Sequence, residues 1–72
     1  MINRQVLCNP LKVVAIRGYG SRLIHEEGMA PEKAMSEMIG YGKFIRASAA
    51  ETSAAIQNQE WIRRPVKIAV SA

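Results

Sequence analysis

Three prolines, Pro10, Pro31 and Pro65, punctuate the chain, and each stands where a helix begins or must stop. Asn9-Pro10 is a strong start: Asn caps free backbone N–H groups, and proline in the first helical position gives up an N–H that had no partner. Pro31-Glu32-Lys33 is a second start, with an acid in the first turn to complement the positive end of the helix dipole. Between them Gly28 supplies a stop. Pro65 forces the residue before it out of the helical region, so a helix ends at Arg63-Arg64. This punctuation predicts a mainly α chain organised as one small helical domain over residues 1–72.

The apolar periodicity agrees. In the first segment Val13, Ile16, Tyr19, Gly20, Leu23 and Ile24 fall in one sector, with Ser21, Arg22, His25 and Glu26 opposite, so an amphipathic helix of eighteen residues is expected from Pro10. In the second, Met38, Gly42, Ile45, Ala49, Thr52 and Ile56 step four, three, four, three, four, a heptad seam that passes Gly40 and Gly42 without changing phase. That seam predicts one long helix from Pro31 to about Ile62. The rival is a break at Gly40-Tyr41-Gly42, because each glycine inside a helix costs about 1 kcal/mol relative to Ala. Ile16–Ile24 and Met38–Arg46 also look alike, each placing a glycine (Gly20, Gly42) in the apolar stripe beside a tyrosine, a pattern that suits close approach. Weak alternation in Ile2–Leu7 and in Val66–Val70 suggests short terminal strands.

Length then implies association. A first helix of about 27 Å cannot cover a second of about 48 Å. The overhang of an antiparallel hairpin with that long second helix would carry Ala49, Thr52, Ile56, Trp61 and Ile62. An uncovered apolar stripe of this kind marks an association surface, and a twofold homodimer is its commonest cover.

Composition excludes several classes. With 49% hydrophobic and 22% charged residues the chain is expected to fold. Its longest aliphatic run, Val13–Ile16, is far below the roughly 18 residues of a membrane span, and Asn3, Arg4 and Gln5 stand where an export signal would be apolar. A cytoplasmic protein with no membrane partner is the expectation. One Cys and one His leave no internal disulfide and no two-His metal site within a subunit, and Cys8 lacks the companions of a nucleophile. His25-Glu26-Glu27 lacks the second His of a zinc-protease helix, and Glu26, Glu27, Glu32 and Glu37 read as solvated carboxylates. The Gly-Tyr-Gly triplets have the wrong spacing for a phosphate loop. No cofactor, metal or catalytic residue is expected, and the chain reads as a non-enzyme.

Charge remains. The net charge is +4; residues 1–25 carry Arg4, Lys12, Arg17 and Arg22 without an acid, while four of the six acids lie between Glu26 and Glu37. The basic ends suit an acidic partner, with Arg4, Lys12, Arg17, Arg63, Arg64 and Lys67 as the binding residues. Two readings follow. One is a small regulatory protein acting by stoichiometric binding to a larger protein, as inhibitor or adaptor, with its Met residues, Tyr19, Tyr41 and Trp61 as adaptable or anchoring groups. The other is a dimeric DNA-binding regulator, since strand, helix, Gly turn and helix is the order of ribbon-helix-helix repressors, with Ile2–Leu7 as the ribbon.

Overall fold

The computed structural model describes residues 8–57 and 59–66. These form four helices, α1 (Pro10–His25), α2 (Pro31–Phe44), α3 (Ala49–Ile56) and α4 (Glu60–Arg63), with no strand among the described residues. The chain is therefore mainly helical. Val66 is in no strand, and the remainder of both expected terminal strands lies outside the described residues.

Both proline starts are used. Asn9 caps α1, its side chain accepting from the Leu11 N–H at 2.9 Å, and Pro10 opens the helix. α1 is 16 residues long and gives way to a turn at Glu26-Glu27, shorter than expected. Gly28 takes a left-handed conformation at φ +71°, and the Met29 N–H reaches back to the Leu23 carbonyl at 2.9 Å. Pro31 then opens α2 behind Ala30, which has no capping side chain.

The long second helix does not occur. α2 runs through Gly40 and Gly42 unbroken, so the rival break at the glycines is absent as well, and it stops at Phe44. The stop is a Schellman motif: Arg46 sits at φ 63°, its N–H donates to the Lys43 carbonyl at 3.1 Å, and the Ala47 N–H donates to the Gly42 carbonyl at 2.8 Å. A new helix begins at once. Ser48 caps α3 with its hydroxyl accepting from the Glu51 N–H, while the Glu51 carboxylate accepts from the Ser48 N–H, a complete capping box. The seam Met38 to Ile56 is continuous in sequence yet folded in space. Capping at Ser48 and the left-handed Arg46 outweigh a heptad phase that had no helical partner to reward it.

Folding at Arg46 brings α3 and α4 back onto α1, which packs against all three other helices. The core consists of Ile16, Ala34, Met38, Ala55 and Trp61, all 0% exposed. Trp61, expected on an uncovered overhang, is instead a central core residue. Its indole N–H donates to the Ile56 carbonyl at 3.1 Å, and His25 Nε2 pairs with the Trp61 carbonyl at 3.1 Å. Past α4 the Val66 N–H donates to the buried Ser21 hydroxyl at 2.8 Å.

The look-alike stretches pack on each other. A Cβ on Gly20 would collide with the thioether of Met38, and one on Gly42 would stand 2.5 Å from Thr52 Oγ1. These glycines admit side chains of neighbouring helices. Beside them Tyr19 and Tyr41 stack with ring centroids 4.5 Å apart, and Phe44, 82% exposed, continues the row at 6.4 Å from Tyr41.

Candidate functional site

The approach of α3 to α2 at Gly42 and Thr52 leaves a groove beside the contact. It holds about 580 Å³, is open to solvent, and is lined by Ile39, Lys43, Ala47, Ala49, Thr52, Ser53, Ile56 and Gln57. Helical spacing explains the membership. Ile39 and Lys43 are one turn apart on α2, and Ala49, Thr52, Ser53 and Ile56 share one face of α3. The opposite face of α3 carries Glu51 and Ala55, which are buried. Ile39 is 46% exposed, a large aliphatic side chain left in water on the wall of a concave surface.

Only one of the eight lining residues is charged. Lys43 stands in the last turn of α2, where a cation complements the negative end of the helix dipole. Arg46, exposed, lies in the chain between the lining residues Lys43 and Ala47. The Lys12 ammonium donates to the Arg46 carbonyl at 3.0 Å, so three basic residues gather around the α2–α3 link. The far end of the groove, at Gln57, is neutral.

Glu51 holds the back of α3 in place. Its carboxylate accepts from the Asn9 N–H at 2.6 Å and the Ser48 N–H at 2.8 Å, tying the start of α1 to the start of α3. The Asn9 N–H, then the Ser48 N–H, hold its carboxyl below the ordinary carboxylate range, with help from Lys12 and the Ser48 side chain and against the effect of desolvation. Arg17 does the corresponding work at the other end. Its guanidinium donates to the Ala54 carbonyl at 2.9 Å and the Ala55 carbonyl at 3.2 Å, satisfying backbone acceptors that the end of α3 leaves open.

The expected interface residues separate. Ala49, Thr52 and Ile56 line the groove; Ile62 is half-buried, and Trp61 is sealed in the core, so the uncovered overhang from which association was argued is absent. The expected binding cations do not form one patch. Arg4 and Lys67 lie outside the described residues. Lys12 and Arg17 donate to carbonyls of the chain itself, and Arg63 and Arg64 both lie 3.4 Å from the Glu60 carboxylate. Ile39, Lys43, Ala47, Ser53 and Gln57 escaped the sequence reading. Ser48-Ala49-Ala50-Glu51, a serine with a glutamate three residues on, was the signal that would have ended the long helix and exposed the groove.

Chemically, the groove offers apolar walls, two hydroxyls, an amide and an ammonium. This set suits binding. Compared with known proteins, the chain matches no family model, no curated protein and no solved structure. Glu26, Glu27, Glu32 and Glu37 are all exposed, as is Cys8, and among the described residues no three His, Cys, Asp or Glu side chains gather around a metal-sized space. None of the described helices is long and apolar enough to cross a membrane.

Proposed function

We propose that this chain is a small non-enzymatic regulatory protein that acts by stoichiometric binding to a larger protein, with the α2–α3 groove as its docking surface. The observation that carries the reading is the groove itself: a concavity of about 580 Å³ whose walls include Ile39, Ala47, Ala49 and Ile56, in a chain of 72 residues. A chain this short has little apolar surface to spare from its core, so a half-exposed Ile39 at the wall of a groove favours a binding role. The DNA-binding alternative has less support, because Lys12 and Arg17 spend their donors on carbonyls of the chain and Arg63 and Arg64 share Glu60. For the homodimer, the remaining support is the accessible side of Ala49, Thr52 and Ile56.

Site-directed photo-crosslinking tests the reading. Gln57→Cys and Arg22→Cys, each in a Cys8→Ser background, would carry a benzophenone label at the neutral end of the groove or on the exposed face of α1. In extract of the source cell the Gln57 label should give one discrete adduct with a 1:1 mass, lost on adding Ile39→Asp, and the Arg22 label should give none. Absence of a Gln57 adduct, or equal adducts from both labels, overturns the proposal. Titration of duplex DNA at low salt should give no steeply salt-dependent binding.

A further inference from the structure

We infer that the occupant of the groove is a short amphipathic helix of the partner protein that carries acidic residues where it meets Lys43 and Arg46. This rests on the protein-binding reading and adds to it the shape and charge of what is bound. The size of the groove comes first. Eight residues line it, whereas a stable interface between two folded proteins takes about 20–30 residues a side. A second copy of this chain, seated on the groove alone, falls well short of that. A helix segment does not, because helix-in-groove recognition uses a few apolar anchors spaced i, i+3 or i+4, and i+7.

The walls fit that occupant. α3 has eight residues and a length of about 12 Å, matching about two turns of a docked helix. Ala47, Ala49 and Ser53 are small, which lets a third helix lie close to α3, and Ile39 and Ile56 supply apolar surface for its anchors. Charge supplies the direction. Lys43 and Arg46 stand at the α2–α3 link, no acid lines the groove, and the Gln57 end is neutral, so a carboxylate on the docked helix is favoured at the link end and an ammonium disfavoured.

Two synthetic helical peptides test this. Both carry leucines at i, i+4 and i+7; one has glutamates flanking the first leucine and the other has lysines there. Fluorescence anisotropy against the full chain at low ionic strength should show the acidic peptide bound about five-fold or more tightly than the basic one, with the ratio narrowing as salt is added. Lys43→Glu should bring the ratio to one or below. Ser53→Trp, at an exposed position, should abolish binding of both while leaving the far-UV circular dichroism of the chain unchanged.

Equal affinity for the two peptides overturns the inference, as does a ratio unaffected by Lys43→Glu or binding that survives Ser53→Trp. A doubled mass at sedimentation equilibrium that Ser53→Trp returns to a single chain assigns the groove to a second copy and overturns it too. A Gln57-specific crosslink to a partner, together with peptides bound equally, would leave the protein-binding reading standing and remove only the acidic helix.

Discussion

The turn after α1 and the turn after α2 use the same left-handed backbone conformation with opposite chemistry. Between α1 and α2 the residue is Gly28 at φ +71°, exposed, with open space where a side chain would be. Between α2 and α3 it is Arg46 at φ 63°. Glycine adopts this region at no steric cost, whereas an L side chain pays about 1–2 kcal/mol. The second turn must therefore be held by something beyond its own residues. The holding contacts come from α1 and its cap: Lys12 on the Arg46 carbonyl, and the Asn9 N–H on Glu51, three residues past the Ser48 cap. One turn is specified locally; the other is specified by what packs around it.

If the second turn depends on packing, removing its largest anchor should have the greatest effect. Trp61 is 0% exposed and joins α4 to the end of α3 through the Ile56 carbonyl. Trp61→Ala is expected to cost about 3–5 kcal/mol, comparable to the whole stability of a domain this small. Urea unfolding followed by far-UV circular dichroism should find the variant largely unfolded without denaturant. A folded variant with an unchanged midpoint would mean that α3 and α4 form an appendage, as a protruding second helix implies.

Gly42 tests the same contact from the α2 side. A Cβ there meets Thr52 Oγ1 at 2.5 Å and Ile16 Cδ1 at 3.4 Å, so Gly42→Leu should lower stability by about 1–3 kcal/mol. Gly40, two residues earlier in the same helix, has nothing within 4 Å of an added Cβ. Gly40→Ala should raise stability by about 0.5–1 kcal/mol. Opposite shifts in the urea midpoint are the expected result; a Gly42→Leu midpoint that does not fall would show that the α2–α3 approach at Gly42 does not limit packing.

These contrasts also explain which parts were legible in the sequence. Asn9-Pro10, Gly28 and Pro31 each encode a boundary through their own covalent chemistry, so α1, its turn and the start of α2 could be read directly. Gly20 and Gly42 were legible as close-approach sites because they interrupt apolar stripes. The end of α2 was not, since arginine gives no sign of a left-handed residue and the heptad phase continued across it. Ser48 and Glu51 did mark the new helix. The groove followed from that boundary: Ala49, Thr52 and Ile56 belong to the heptad seam, whereas Ile39, Lys43, Ala47, Ser53 and Gln57 lie off it and join them only because the chain folds at Arg46.

Acid should separate the two turns. The Glu51 carboxyl is held below its ordinary value of 4.5 by the Asn9 and Ser48 N–H groups, so the folded state binds that proton less readily than the unfolded chain does. Its stabilising contribution is complete above the ordinary value and is lost as pH falls through the lowered folded value. Glu51→Gln should therefore unfold at lower urea than the wild type at pH 7, with the difference shrinking in acid. Amide exchange should rise first around Ser48 in acid while the Gly28 turn stays protected as before. A wild-type to Glu51→Gln difference that does not change with pH would show that the carboxylate charge plays no part in holding the second turn.

The smallest effects come from exchanging the turn residues themselves. Gly28→Ala places a Cβ in a left-handed conformation with no packing to offset it, and should lower stability by about 1 kcal/mol even though the space is open. Arg46→Gly removes the same strain from the second turn but adds backbone freedom to the unfolded chain, so the net gain is at most about 1 kcal/mol. The Arg46 carbonyl and N–H remain in the glycine variant, and with them the bonds to Lys12 and Lys43. Thermal unfolding should accordingly place Gly28→Ala below the wild type and Arg46→Gly at or slightly above it. If Arg46→Gly instead falls below, the arginine side chain itself supports the turn, and the second reversal depends on that side chain as well as on what packs around it.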